Sequence, residues 1–287
     1  MTRQDVPAVE RLSDEVFYDL SLRMHRQGWP TPERRSPERS TTWSRRQEHL
    51  VGTDPGGCWV ADGGGAIVGA ATAMRRDTTW LLANYVVDRA RQGQGIGRQL
   101  LEAAASHGRN CTTAMLLASD DPAALRRYRL AGFDLHPAML MGGQVGRDVL
   151  PVVERVRDGS AADIDLMNSV DRQVRGSAHG PDHELMCTLY PLVVTDRPSG
   201  SGYAYRKHEG GPYLLAATSR RIAADLLWET LAASRPDELV TIDSITAANA
   251  WALDVGMAAR LELHTHNYLA VRGMRPPAPY LPSGIFL

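Results

Sequence analysis

The chain has 287 residues, a hydrophobic fraction of 43% and a formal charge of −1, so it can fill a core and carries no global field toward nucleic acid or membrane. The scattered cysteines Cys58, Cys111 and Cys187 offer no metal or redox spacing, and an odd count without a leader predicts a reducing, cytoplasmic setting. No apolar run approaches the length of a membrane span. From the N-terminus, Asp5 and Pro7 predict a helix start, "AVERLSDEVFYDLSLRM" continues at helical spacing, and a second helix falls at about 40–51. "CWVAD", a glycine turn and "AIVGAATAM" read as an antiparallel hairpin, and "TWLLANYVV" as a third apolar strand. A glycine-rich loop then leads into a helix whose Ile96, Leu100, Leu101 and Ala104 share one face. "AMLLA" is a buried strand, and "DPAALRRYRLAGF" a helix with Pro122 in its first turn and Gly132 as its stop.

"GGQVGRDVLP" is glycine-rich, closes on a proline and marks a domain boundary, giving segments 1–147 and 148–287. The second segment repeats the order: "VVERV", a helix near 161–174, strands around "GYAYR" and "PYLLAAT", a helix "RRIAADLLWETLAA", a strand "LVTID" and a helix "AANAWALDVGM". Gly97 and Gly132 recur as Arg221 and Gly256 at a constant offset of 124, which suggests an internal repeat of low identity. Lys207 is the only lysine and reads as compositional bias; "ERRSPERSTTWSRR" reads as a solvated face rather than a nucleic-acid patch.

The stretch "RQGQGIGRQLL" places glycines at 93, 95 and 97 just before a helix, where glycine is costly. A nucleoside-triphosphate loop would need Gly-Lys-Ser/Thr, and Gly97 is followed by Arg98 and Gln99. A dinucleotide fingerprint would be Gly-x-Gly-x-x-Gly after the first strand of a parallel unit, whereas here a hairpin precedes the loop. The remaining possibility beside a plain structural turn is an anion cradle, in which main-chain N–H groups at a helix N-terminus face a phosphate with no β-carbon in the way.

"VVDRARQGQGIGRQLL" resembles the acyl-CoA signature of the GNAT superfamily of N-acyltransferases, Gln/Arg-x-x-Gly-x-Gly/Ala, met by Gln92, Gly95 and Gly97. Downstream, "DDPAALRRYRLAGF" is similar to that family's second motif, with Ala124, Tyr128, Gly132 and Phe133 in register and Asp121 where asparagine is common. The resemblance covers roughly residues 1–145 and implies an α+β fold of two tandem GNAT-like domains, each a mixed, mostly antiparallel sheet flanked by helices. It implies a working N-terminal N-acetyltransferase that uses acetyl-CoA as cosubstrate, without a metal. Val86 and Val87 would pair with the pantetheine arm like an added strand. Amides of Gln92, Gly93, Gln94, Gly95, Ile96, Gly97 and Arg98 would hold the pyrophosphate, with Asp121 and Ala124 also at the cofactor. Arg91, Arg98, Arg126 and Arg127 are candidates for the 3′-phosphate.

Tyr128 is then the candidate acid for the leaving thiolate. "WLLANYVV" carries no carboxylate to serve as base, which leaves a water chain, an amine arriving neutral, or the Leu287 carboxylate on the tail "SGIFL"; that tail also reads as a plug for a surface groove. The expected acceptor is a primary amine of a small molecule, or of a peptide or protein, with no nucleic-acid or membrane partner and a monomer or homodimer as the working form. A CoA-binding sensor or scaffold without turnover is the alternative. In the second segment the loop glycines become Ala217, Ser219 and Arg221, and Tyr128 becomes Ala252, so it is expected to be degenerate. His179 and His183, and His264 and His266 on one face of a strand, are expected to be surface or loop histidines. Arg175, Asp182 and His183 are expected in a polar loop facing the acceptor.

Overall fold

Two helices open the chain in the computed structural model, which describes residues 1–25 and 31–287: α1 (Val6–Arg23) and α2 (Pro37–Thr53). Asp5 precedes α1, but its carboxylate takes the main-chain N–H of Thr2 (2.7 Å), so the start rests on Pro7 in the first turn rather than on a side-chain cap. α2 is capped by Ser36, whose hydroxyl accepts from the Arg39 N–H. The predicted hairpin follows as β1 (Cys58–Asp62) and β2 (Ile67–Arg76), antiparallel, and β3 (Thr79–Val87) extends it. Next come α3 (Ile96–Ser106), β4 (Thr113–Ala118), α4 (Pro122–Leu130) and β5 (Asp134–Gly143).

α3 buries Leu100, Leu101 and Ala104 of the predicted stripe and half-buries Ile96, and Trp80 of β3 donates its indole N–H to the Ala104 carbonyl (3.0 Å). That ring is fully buried, a contribution of about 2–3 kcal/mol that fixes the helix on the sheet. α4 begins where the Asp121 carboxylate accepts the Ala123 N–H (2.8 Å) and ends at Gly132, whose φ of +84° only glycine adopts freely.

The second half contributes β6 (Arg157–Asp158), α5 (Ile164–Arg175), α6 (Pro181–Leu189), β7 (Leu192–Arg197), β8 (Gly200–Arg206), β9 (Pro212–Ala217), α7 (Arg220–Ala232), β10 (Val240–Thr246), α8 (Trp251–Ala258), β11 (Glu262–Arg272) and β12 (Tyr280–Leu281). "VVERV" is not a strand; the short β6 lies just after it, and α6 and β7 were not anticipated. α7 starts at Arg220, 124 residues after the start of α3, as the offset predicts.

Two sheets flanked by helices result: the first is mixed and mostly antiparallel, as expected for each half, whereas the second is antiparallel throughout. Their strands do not follow the order of the chain. The first sheet runs β1-β2-β3-β4-β11-β5-β10 and the second β12-β9-β8-β7-β6, so two strands of the second half complete the sheet of the first. β11 inserts between β4 and β5, antiparallel to both, and β10 covers the far edge of β5. This exchange seals edges that would otherwise pair with other chains. It also carries second-half side chains to the cleft described next. Among the described residues, no helix is long and apolar enough to cross a membrane.

Candidate functional site

The glycine loop divides its labour. Gly93 and Gly95 have φ of +79° and +85°, with open space where a β-carbon would stand. Gly97 is in the first turn of α3, and a β-carbon there would lie 2.4 Å from the Tyr85 hydroxyl. Its absence of side chain therefore serves packing as well as the loop. Among the described residues, none of the six N–H groups from Gly93 to Arg98 reaches a protein acceptor; the next, Gln99 N–H, already bonds Gly95 O (3.2 Å). Six donors at the positive end of a helix dipole form a seat for an anion.

β3 and β4 run parallel and pair only over Thr79–Leu82 against Thr113–Leu116. Beyond Leu82 they part, while the other edge of β3 stays paired with β2 through Val86 and Val87. The open edge at Ala83–Val87 faces a cleft of about 980 Å³. That edge suits an extended, strand-like arm. Asn84 lies in its wall, 7% exposed, and its buried Nδ2 has no hydrogen-bond partner among the described residues. A buried amide donor without an acceptor is costly and fits a ligand oxygen arriving there.

Tyr128 of α4 lines the same cleft, 5% exposed, with its ring 6.1 Å from Tyr85 and 6.4 Å from Phe133. Its hydroxyl has no hydrogen-bond partner among the described residues. Burial pushes its pKa well above that of a free phenol, with Tyr85 and Asp121 adding to the shift, so the group stays protonated. Val86, Val87, Gln92, Gly93, Gly95, Gly97, Arg98, Asp121 and Ala124 also line the cleft. The side chains of Gln94 and Ile96 do not: Gln94 bonds back to Ala90 O (3.5 Å), Ile96 packs on the sheet, and each brings only its N–H. Gln92 donates to Val87 O (3.2 Å) and ties the loop to the strand. Of the arginine candidates, Arg91, Arg98 and Arg127 line the cleft and Arg126 does not.

The opposite wall comes from the second half. Lys207, Tyr213, Asp243, Ser244, His266 and Asn267 line it, beside Pro282, Ser283 and Gly284 of the tail. None of these was predicted as a site residue, apart from His266 as half of a surface pair. The one available signal was Lys207, the single lysine of an arginine-rich chain.

Other expectations are corrected. His179 and His183 are fully buried, not on the surface. Both bond Asp171, at 2.7 and 2.9 Å, and their second nitrogens meet Arg175 (2.9 Å) and the Tyr205 hydroxyl (3.1 Å). Arginine only donates, so His179 accepts at Nε2 and carries its proton on Nδ1. Burial, reinforced by the Arg175 charge, pushes its pKa down to about 4. Asp171, His179 and His183 place one donor atom each within 4.8 Å, a metal-like set, but every atom is engaged and a guanidinium stands beside it. The arrangement works as a buried hydrogen-bond network, with Tyr203 donating to Asp171 (2.5 Å).

Arg175, Asp182 and His183 do not face the cleft. Asp182 is buried under Arg76 of β2 (2.7 and 2.5 Å) and His49 (2.8 Å), an ion-pair network that joins the halves. Leu287 is fully buried, its carbonyl oxygen accepting from Arg175, and it is not a cleft residue. The tail fills a groove: Ile285 and Phe286 are also buried.

In the second half the corresponding anion seat is absent. Ser219 caps α7 itself, its hydroxyl accepting the Ile222 N–H (3.4 Å), and Ala252 is buried at the place of Tyr128. β12 pairs with β9 through Tyr280–Ala216 and Leu281–Leu215, so the chain's own tail lies along an edge comparable to the open one of β3.

A parted parallel strand pair, a glycine loop at a helix N-terminus and a phenol on the next helix thus come together in one cleft. The model described as the Acetyltransferase (GNAT) family matches residues 15–133, the segment that holds the glycine loop and α4. A Pyrococcus horikoshii protein, provisionally classed as an acetyltransferase, shares the fold over 100% of this chain and 93% of its own (TM-score 0.73, 17% identity). A GCN5-related N-acetyltransferase from Sphaerobacter thermophilus aligns over 96% of this chain and 95% of its own (TM-score 0.56, 15% identity). A tandem GNAT protein from the clavulanic acid biosynthesis pathway aligns over 96% and 98% (TM-score 0.53, 14% identity). At these identities the likeness is one of fold. No curated protein matches the sequence.

Proposed function

We propose that the chain transfers an acetyl group from acetyl-CoA to a primary amine by direct attack, with the N-terminal half as the working domain. The observation that carries this reading is the run of six N–H groups from Gly93 to Arg98 that have no acceptor among the described residues, at the same cleft that Tyr128 lines. The amides take the diphosphate; the open edge at Val86 and Val87 takes the pantetheine arm; Arg91, Arg98 or Arg127 neutralises the 3′-phosphate. Asp121 serves by capping the helix that carries Tyr128, and Ala124 leaves room beside the cofactor. Asn84 Nδ2 offers a donor to the thioester carbonyl oxygen as charge develops there.

As the amine nitrogen bonds to the carbonyl carbon, the carbon–sulfur bond breaks and the sulfur takes the Tyr128 proton. A phenol kept protonated by burial is suited to that role. The test is thiol release from acetyl-CoA across a panel of primary amines, with Tyr128→Phe beside the parent. An amine-dependent rate that falls about 10²–10⁴-fold in the variant is expected. Coenzyme A binding with no thiol release for any amine would instead favour a cofactor sensor.

A further inference from the structure

The cleft wall opposite the anion loop contains two β-bulges that face each other across β5. On β10, Ile242 pairs with Met141 and Ile245 with Met139, so Asp243 and Ser244 together oppose Leu140 alone. On β11, Thr265 pairs with Met139 and Tyr268 with Pro137, so His266 and Asn267 together oppose Ala138. Ser244 and Asn267 hold φ of +58° and +63°, unusual for residues with a β-carbon. Bulges re-aim side chains at functional sites. Here they bring Asp243 and His266 into one cleft and into electrostatic contact.

Both are held from behind. Lys207 Nζ donates to Asp243 Oδ2 (2.5 Å) and Thr241 Oγ1 donates to the same oxygen (3.0 Å), while Oδ1 receives no hydrogen bond among the described residues. The charge of Lys207 keeps Asp243 ionised, since it offsets the burial that would raise the carboxyl. Asn267 donates its N–H to Asp120 Oδ1 (3.0 Å), and Asp120 adjoins the cap of α4. The His266 bulge is thereby tied to the helix of Tyr128. Phe17 and Met24 of α1 add exposed apolar side chains to the cleft lining.

Resting on the acetyl-transfer reading, we propose that Asp243 and His266 form the acceptor subsite, which takes the primary ammonium of an amine with an apolar body. Asp243 Oδ1 holds the ammonium. His266 accepts one of its protons and passes it to solvent, leaving a neutral amine. The nitrogen then bonds the acetyl carbon, sulfur departs with the Tyr128 proton, and the second proton lost from nitrogen restores the phenol through water. The base absent from β3 is thus supplied by a strand of the other half.

The test uses the full chain saturated with coenzyme A and titrated by calorimetry with 2-phenylethylamine and, as its uncharged counterpart, 2-phenylethanol. The parent should prefer the amine by about tenfold or more, and Asp243→Asn should abolish that preference while leaving coenzyme A affinity unchanged. With acetyl-CoA as donor, His266→Gln should lower kcat for 2-phenylethylamine about tenfold or more, with its KM within about twofold of the parent. Equal binding of the two probes, no binding of either, or a preference that survives Asp243→Asn overturns the subsite. A parent that fails to bind coenzyme A at all overturns the transfer reading itself, so the two failures are distinct.

Discussion

Replacing Gly95 with alanine separates the geometry of the anion loop from its packing. The position has φ +85° and ψ −8°, and nothing stands within 4 Å of an added β-carbon, so alanine meets no collision. The only cost is conformational, about 1–2 kcal/mol for a residue with a β-carbon held in the left-handed region. Without ligand the loop can relax and shed that cost, so the melting temperature should change little. With coenzyme A bound, the N–H groups must converge on the diphosphate and the cost returns. Affinity measured by calorimetry should therefore fall about 5–30-fold. Gly97→Ala should be worse in a different way, because its β-carbon would meet the Tyr85 hydroxyl at 2.4 Å and displace a cleft wall. A Gly95→Ala protein with the parent's affinity would refute the claim that this backbone conformation aims the donors.

Because the Tyr128 hydroxyl has no hydrogen-bond partner among the described residues, Tyr128→Phe should leave chemical-denaturation stability within about 0.5 kcal/mol of the parent even as turnover falls. Phe286 is fully buried with its ring 6.0 Å from His49, so Phe286→Ala should cost about 3–5 kcal/mol by the same measurement; a loss under 1 kcal/mol would mean the tail does not belong to the core. For His179, the folded-state pKa of about 4 lies below the unfolded value of about 6.5, so the unfolded chain takes up the proton first. Its contribution is complete above about pH 6.5 and is lost as pH falls toward 4, by up to about 3 kcal/mol. Urea midpoints should decline across that window and decline less in His179→Gln; parallel profiles would contradict a neutral buried ring.

The first half was readable because its signals are local. The hairpin, the α3 stripe, Pro122 and Gly132 each follow from a few adjacent residues, and so does the left-handed pair Gly93 and Gly95. What escaped was long-range. No local pattern in "ELHTHNYLAVR" says that β11 inserts between β4 and β5, since strand partners are chosen by tertiary packing. Once that insertion is missed, Asp243 and His266 cannot be placed in the cleft, and the search for a base passes from β3 to water, a neutral amine or the Leu287 carboxylate. The histidine pair at 179 and 183 was misread for a related reason. Polar residues usually sit outside, and only the convergence of Asp171, Arg175 and Tyr203 from other elements makes their burial tolerable.

The most direct measurement is an amide ¹H–¹⁵N correlation spectrum of the labelled chain during titration with coenzyme A. The account predicts saturable shifts concentrated at the amides of Gly93 through Arg98 and along the open β3 edge from Ala83 to Val87, with α7 and its Ser219 cap unmoved. Saturable binding that leaves the amides of Gly93 through Arg98 where they were, or no binding, would contradict it.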